Sequence, residues 1–268
     1  MKFFAKVISS IAAVLICLGL VVAVVGLVMG ATLDNVRWGS FPGIVLPGKW
    51  DTYSLTESYR DVTSLDFDLG MAEVIFQEGE EFSIDAQGVP MKVISKVDRG
   101  VWKIDTRELR GLNWLRPRWG DWTPTITITL PAGFVADSLK LEMGMGSLTA
   151  DVLRSSGKAD LQVGMGEIVV DRLEAPRVGL DCGMGTITVG QVQTQQGDID
   201  CGMGDVRLTI LGEARDYGYT VDVGMGNVDV GEQSYSGLGQ KTRQNTDAPN
   251  QLTIDCGMGN VEIDFQKS

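Results

Sequence analysis

The chain has 268 residues and a formal net charge of −12, from 23 Lys and Arg against 35 Asp and Glu. Because a nucleic-acid backbone is bound through clustered basic side chains, this charge argues against a nucleic-acid partner. The sequence has no histidine, which excludes Ser-His-Asp and Cys-His catalysis and histidine-ligated metals. No recognised catalytic motif occurs, so we predict that the chain is not an enzyme and needs no cofactor.

The first predicted element is one transmembrane helix at residues 7–29, a run without a charged side chain. Such a run can span a hydrocarbon core of about 30 Å. Lys2 and Lys6 precede it, so the positive-inside rule places residues 1–6 in the cytoplasm and the remainder outside. A cleaved signal peptide is the alternative, although its apolar region is ordinarily shorter. We favour a single-pass anchor in the cell membrane, followed by a linker at residues 30–61.

Residues 62–268 are predicted to form an extracytoplasmic domain built on a repeat. Gly-Met-Gly occurs six times, and the flanking residues alternate between apolar and polar, which indicates strands. Repeats of similar length without a helix predict an all-β fold, a parallel β-solenoid of about seven coils. Glycine tolerates the backbone angles of a corner between strands. The predicted corner glycines are Gly144, Gly146, Gly164, Gly166, Gly183, Gly185, Gly202, Gly204, Gly224, Gly226, Gly257 and Gly259.

Aligning the repeats gives columns of equivalent residues. One predicted core column is Leu69, Met143, Val163, Cys182, Cys201, Val223 and Cys256, and another is Val74, Leu148, Ile168, Ile187, Val206, Val228 and Val261. A third column is all methionine: Met71, Met145, Met165, Met184, Met203, Met225 and Met258. We interpret it as core packing by an adaptable side chain rather than as an array of thioether metal ligands. On that interpretation, Met184→Asp would bury a charge and unfold the neighbouring coils.

An acidic column is predicted to face outward: Asp68, Glu142, Asp181, Asp200, Asp222 and Asp255. We favour a solvated face and predict no metal site, with Asp181, Asp200 and Asp222 as weak candidates for Ca²⁺ ligands. The three cysteines of the core column are predicted to be buried thiols. A bridge between Cys182 and Cys201 stays open, because adjacent coils lie near disulfide range.

A predicted loop at residues 107–124 interrupts the repeats and combines tryptophan with arginine. Both residue types are enriched in binding hot spots, so the predicted contact residues are Trp114, Trp119, Trp122, Arg116 and Arg118. Two alternatives are a cap over an open sheet edge and contact with a membrane surface.

Three stretches carry a family resemblance: Val101–Asp105, residues 125–133 (Thr-Ile-Thr-Ile-Thr-Leu-Pro-Ala-Gly) and residues 137–141. Together with the Gly-rich repeats, they resemble the bacterial "putative adhesin" β-strand-repeat family, a domain of unknown function in many membrane-anchored proteins. The resemblance covers roughly residues 62–265 and implies a β-solenoid fold and an envelope setting, sometimes linked to stress responses. It implies no catalytic residues. The methionine of Gly-Met-Gly departs from the family pattern.

Together these features predict a membrane-anchored binding or scaffolding protein of the bacterial cell envelope, with an envelope glycan or a membrane protein as partner. One alternative is an accessory regulator or sensor in an envelope-stress response. Another is an enzyme that acts on polysaccharides, which we disfavour because no pair of carboxylates stands apart from the regular column.

Overall fold

The computed structural model describes residues 53–89, 92–106, 124–237 and 239–267. Residues Asp51–Ser268 form one compact unit. The first strands are β1 (Tyr53–Tyr59), β2 (Ser64–Gly79), β3 (Phe82–Val89), β4 (Ile94–Asp98), β5 (Val101–Asp105), β6 (Thr125–Pro131) and β7 (Leu139–Arg154). The middle strands are β8 (Lys158–Val163), β9 (Glu167–Glu174), β10 (Arg177–Cys182), β11 (Thr186–Gln193), β12 (Gln196–Cys201) and β13 (Asp205–Leu211). The last are β14 (Tyr217–Val223), β15 (Asn227–Val230), β16 (Gln233–Ser236), β17 (Gln240–Gln244), β18 (Asn250–Cys256) and β19 (Asn260–Gln266), with a 3-10 turn at Ala214–Asp216.

Successive repeats pair in parallel and in register, so equivalent residues lie beside each other. Leu180 of β10 pairs with Leu161 of β8 on one side and Ile199 of β12 on the other. Past the corner, Ile187 of β11 lies between Ile168 of β9 and Val206 of β13. The alternation of apolar and polar residues therefore directs one side chain of each pair into the core in every repeat.

The predicted parallel β-solenoid is wrong, because all the described strands belong to one curled mixed sheet, a half-barrel. Antiparallel pairs β1–β3, β3–β6 and β4–β5 form much of its first part. Near the other end, β16 and β17 pair antiparallel with β15 and β14. These two strands fall in residues 232–250, whose polar composition predicts a surface loop. Short hairpins pair strands antiparallel, so the parallel ladders cannot extend through the whole sheet.

The last repeat does not stack at the end of the series. Strand β18 lies between β12 and β14, and Asp255 pairs with Asp200 on one side and Asp222 on the other. Strand β19 likewise lies between β13 and β15. The chain therefore leaves a gap one repeat wide after β13, makes the β14–β17 segment, and returns to fill the gap.

The two apolar columns are confirmed as core, and every member is no more than 3% exposed. An aromatic cluster closes the core near the start of the unit. There the indole of Trp102 donates to the hydroxyl of Ser95 at 2.9 Å and meets the ring of Phe67 edge-on at 5.1 Å. The indole nitrogen is thus satisfied while its ring is fully buried.

The predicted single-pass membrane location finds no counterpart in the structure and is not retained. No helix in the described part of the chain is long and apolar enough to cross a membrane. The segment assigned to the anchor, residues 7–29, lies outside the described residues, as does the predicted cytoplasmic end at 1–6. Strand β1 falls within the predicted linker at residues 30–61 and pairs with β3.

Candidate functional site

Each Gly-Met-Gly forms a three-residue corner between two strands from β8 onward, for instance between Cys182 and Thr186. Backbone hydrogen bonds between repeats continue through these corners. The amide nitrogens of Met165, Met184, Met203, Met258 and Met225 donate at 2.6–2.9 Å to the carbonyl oxygen of a glycine in the adjacent repeat. The corners are consequently stacked at the spacing of neighbouring strands, about 4.7–4.9 Å.

Close stacking, rather than unusual backbone angles, explains the glycines at these corners. A Cβ on Gly183 would stand 2.9 Å from the carbonyl oxygen of Gly164, and one on Gly185 would stand 2.2 Å from that of Gly166. Only Gly146 among the twelve predicted corner glycines has a positive φ, of 121°. The space between stacked corners thus excludes any side chain at these positions.

The methionine column faces solvent at five of its seven positions, and the prediction that it forms part of the core is wrong there, whereas Met71 is partly buried and packs against the core. Met165, Met184, Met203, Met225 and Met258 are 53–63% exposed, whereas Met143 of the neighbouring column is 2% exposed. Met71 and Met145, in the continuous strands β2 and β7, are half-buried. The five exposed thioethers form one line across the sheet, which we call the methionine ladder.

A phase slip, a one-residue shift in the alternation of inward and outward side chains, explains why these side chains point outward. The sequence pattern predicts this slip after Gly185. The inward positions are Cys182, Gly185 and Ile187, so the alternation slips before Met184 instead. The thiol of Cys182 donates to the carbonyl oxygen of Gly185 at 3.2 Å and occupies the space inside the corner. Cys201 and Cys256 make the equivalent contacts with Gly204 and Gly259. With that space filled, the methionine side chain is left on the outer surface.

An acidic ladder runs beside the methionine ladder, three residues earlier in every repeat except that of Met165, where Gln162 takes the position. Its central register is Asp181, Asp200, Asp255 and Asp222, each paired with the next across adjacent strands. Partial burial, followed by repulsion from Asp255 and Asp181, raises the pKa of Asp200. At the end of the row, Lys241 lies 3.0 Å from the carboxylate of Asp222.

The three weak candidates for Ca²⁺ ligands, Asp181, Asp200 and Asp222, are not all neighbours in the structure. Asp181 and Asp200 are neighbours, but Asp255 stands between Asp200 and Asp222. Among the described residues, no group of three or more His, Cys, Asp or Glu side chains is arranged to hold a metal ion.

An amide-rich row flanks the other side of the methionine ladder. The side-chain amide of Asn227 donates to the Asn260 side-chain oxygen at 3.2 Å, and the Asn260 amide donates to the Asp205 carboxylate at 2.9 Å. These side chains follow the corner directly and hydrogen-bond from one repeat to the next. The methionine ladder therefore lies between two polar rows. We call the three together the corner face.

The buried thiols offer no nucleophile to solvent. Cys182, Cys201 and Cys256 are free and no more than 3% exposed. A hydrogen bond with the Cys182 thiol, together with burial, raises the pKa of Cys201, and burial raises the pKa of Cys256 to about 11. The hydrogen bond with Cys201 lowers the pKa of Cys182, whose sulfur is fully buried. Because the thiolate is the reactive form, Cys201 and Cys256 are unreactive at neutral pH.

A polar cavity of about 450 Å³ lies beside the β15–β16 hairpin. Its one basic side chain, Arg207, lies 3.5 Å from Asp205 and 3.7 Å from Glu262. Asn227 and Asn260 also line it, so the cavity adjoins the corner face. The Arg207 charge is thus balanced by Glu262 within the cavity and by Asp205 beside it.

The predicted contact residues Trp114, Trp119, Trp122, Arg116 and Arg118 lie outside the described residues, and their role stays a prediction. The alternation of residues did not identify the methionine ladder as a surface. One signal could have identified it. The two core columns interchange Leu, Val, Ile, Met and Cys, whereas the ladder position is methionine in all seven repeats.

No family model and no curated protein matches the chain. Solved structures do match it. A "putative cell adhesion protein" from Clostridium sporogenes is 14% identical, with a TM-score of 0.36 over 81% of this chain and 100% of that chain. A "putative adhesin" from Parabacteroides distasonis is 16% identical, with a TM-score of 0.33 over 80% and 98%. A "putative lipid binding protein" from the same species is 11% identical, with a TM-score of 0.29 over 80% and 98%. None of these likenesses assigns the chain to a family.

Proposed function

We propose that this chain is a binding protein and that the corner face is its ligand-contact surface. The observation that carries the proposal is the methionine ladder, five thioether side chains that are more than half exposed and aligned across adjacent repeats. A contiguous row of exposed apolar side chains bordered by polar residues is typical of an interaction site.

Methionine suits such a surface for a physical reason. Its side chain is unbranched, has a polarizable sulfur and adapts its shape to a partner. Methionine is also enriched at protein interfaces relative to the rest of the surface. Five copies in a row give a flexible contact layer held on a regular backbone.

The backbone below this layer is fixed. Hydrogen bonds join the corners of adjacent repeats, and the inward residues on either side, such as Cys182 and Ile187, are fully buried. Ligand binding would therefore order only the methionine side chains and would not have to order a loop. A preorganised surface of this kind reduces the entropic cost of association.

A role in binding agrees better with the described residues than a role in catalysis. The thiols are buried, the basic side chain of the cavity beside the β15–β16 hairpin is paired, and the acidic ladder is regular. The Trp/Arg-rich loop at residues 107–124 remains a second predicted contact region.

Methionine oxidation in cells tests this proposal and does not require the ligand to be identified first. The full chain is treated briefly with peroxide, once in living cells and once after purification, and the sulfoxide at each methionine is measured by mass spectrometry. Half-buried Met145 is the internal reference for peroxide dose. We expect the ladder methionines to oxidise more slowly relative to Met145 in cells, because the ligand covers them. Equal ratios in cells and in the purified protein would contradict the proposal.

A further inference from the structure

We propose that the methionine ladder binds a soft monovalent metal ion, Cu(I) or Ag(I), between the thioethers of neighbouring repeats. This inference rests on the proposed function, because it names the ligand class of the same surface. Thioether sulfur is a soft donor that selects Cu(I) over hard cations such as Ca²⁺ and Mg²⁺.

The spacing of the ladder fits a bridging ion. The backbone hydrogen bonds of Met184, Met203 and Met258 place their repeats at the ordinary strand separation of about 4.8 Å. An ion midway between two sulfur atoms at that separation lies about 2.4 Å from each, close to the ~2.3 Å of a zinc–sulfur bond. A pair of neighbouring thioethers can thus close on one ion without movement of the backbone.

The composition of the ladder favours a metal over an apolar partner. Leucine, valine and isoleucine satisfy the apolar requirement of the core column that runs from Val74 to Val261. An apolar docking surface would accept the same variety, yet every repeat has methionine at the ladder position. The thioether distinguishes methionine from the aliphatic residues, and it is the group that all the repeats share at this position.

The surrounding charge favours a cation and discriminates against a hard one. Thioethers are neutral, so the charge of a bound ion must be balanced from elsewhere. Asp181, Asp200 and Asp255 each precede their methionine by three residues, which is at most about 10 Å along the backbone. That distance is within about one Debye length at physiological salt, so the acidic ladder attracts cations to the methionine ladder. Carboxylate oxygen is a hard donor, so sulfur is the preferred ligand of a soft ion at this surface.

The buried cysteines are the competing soft ligands in this chain. Cys182 lies two residues before Met184, but its thiol faces the core and is fully buried. The experiment must therefore resolve which sulfur atoms bind the ion.

Titration of the full chain with Ag(I) under anaerobic conditions provides that resolution, with ¹³C-methyl-methionine NMR as the readout. Ag(I) is the probe because it is diamagnetic and stays in one oxidation state. We expect the ε-methyl signals of the ladder methionines to shift saturably, while the signal of buried Met143 keeps its position. Ladder signals that do not move would overturn the proposal, including a result in which the protein takes up Ag(I) through its thiols alone.

Two sets of variants sharpen the result. Met203→Leu with Met258→Leu keeps the ladder apolar and removes two adjacent thioethers, and we expect Met225 to lose its shift because its neighbour Met258 is gone. Met143→Leu is the matched control and should leave all ladder shifts unchanged. In the Cys182→Ala, Cys201→Ala and Cys256→Ala variant, the ladder shifts should persist. Should that variant not fold, the site-resolved shifts of the parent chain still decide the question.

The outcomes separate the two proposals. If the ladder methionines are protected from oxidation in cells but their NMR signals do not respond to Ag(I), the proposed metal site is wrong and the proposed contact surface is retained. Unchanged binding of Ag(I) to the double leucine variant, with Met225 still shifted, would also overturn bridging by neighbouring thioethers.

Discussion

The sulfur of Cys182 lies 2.6 Å from the position that a Cβ on Gly204 would occupy. These two residues belong to adjacent repeats, and the thiol of one fills the corner of the next. The same relationship joins Cys201 with Gly259 and Cys256 with Gly226, at 2.6 and 2.8 Å. This interlocking fixes the inward side of each corner and leaves the methionine outside.

The first prediction concerns Gly204. A methyl group there meets the Cys182 sulfur and, at 2.2 Å, the carbonyl oxygen of Gly185. That oxygen cannot move without breaking the backbone hydrogen bonds between the corners. We expect Gly204→Ala to lower the free energy of unfolding by about 1–3 kcal/mol. Urea denaturation measures it. Gly197→Ala is the control, because its methyl meets only the terminal methyl of the Leu252 side chain, which can shift, so the cost should be clearly smaller than that of Gly204→Ala. Equal costs for both variants would mean that the corners are not tightly stacked.

The second prediction compares Met184 with Ile187, which are three residues apart and on opposite sides of the sheet. Met184 is 55% exposed and Ile187 is fully buried. Met184→Asp should change the free energy of unfolding by about 0.5 kcal/mol or less, since surface substitutions seldom cost more. Ile187→Asp should cost more than about 4 kcal/mol, because it buries an unpaired charge. Thermal melts of both variants measure the difference. A Met184→Asp chain that does not fold would show that Met184 lies in the core.

The alternation of residues was sufficient to predict the strands and both core columns. It could not place the phase slip, because a slip before Met184 and a slip after Gly185 both bring Ile187 inward. The choice depends on where the Cys182 thiol lies, which is a packing contact between repeats. The prediction that methionine lies in the core depends on its hydrophobicity and on its apparent phase with Leu, Ile and Val, and the uniformity of its column is the overlooked signal.

The alternation of apolar and polar residues also did not predict the order of the strands in the sheet. The repeats are similar enough that any one could pair with any other, so the sequence order suggested a simple stack. The insertion of β18 between β12 and β14 depends on the hairpin strands β16 and β17, whose polar composition resembles that of a loop. The antiparallel pairs that flank the parallel repeats likewise produce no periodic signal in the sequence. The solenoid prediction failed in those parts of the sheet.

The third prediction follows from the inserted repeat. Ile254 of β18 is fully buried and its strand pairs with both β12 and β14. Ile254→Ala should cost about 2–5 kcal/mol and reduce amide protection from hydrogen exchange in both of those strands. Ile84→Ala, at an equally buried position in β3, should leave protection in β14 unchanged. Loss of protection in β14 but not in β12 would argue for a last repeat that stacks at the end.

The fourth prediction concerns the acidic ladder. Folding raises the pKa of Asp200, so the folded chain binds more protons than the unfolded chain above the ordinary value of 3.8. Stability contributed by this group therefore falls as the pH rises through the raised pKa. Asp200→Asn removes the penalty and should stabilise the protein at neutral pH by about 0.5 kcal/mol, the scale of a like-charge pair across strands.

The gain from Asp200→Asn should vanish below about pH 3.8, where the parent carboxyl is protonated in both states. It should also shrink in high salt, which screens charges on an exposed face. Denaturation midpoints across pH and salt measure both effects. A gain that is independent of pH would show that repulsion within the ladder is not its cause.

The most direct test of the account is the rate at which each methionine of the purified chain is oxidised by dilute peroxide, measured by mass spectrometry. Exposed thioethers react first, so Met165, Met184, Met203, Met225 and Met258 should all be oxidised well before Met143. Oxidation of Met143 together with these five, or resistance of the five until the chain unfolds, would contradict the methionine ladder and the binding surface built on it.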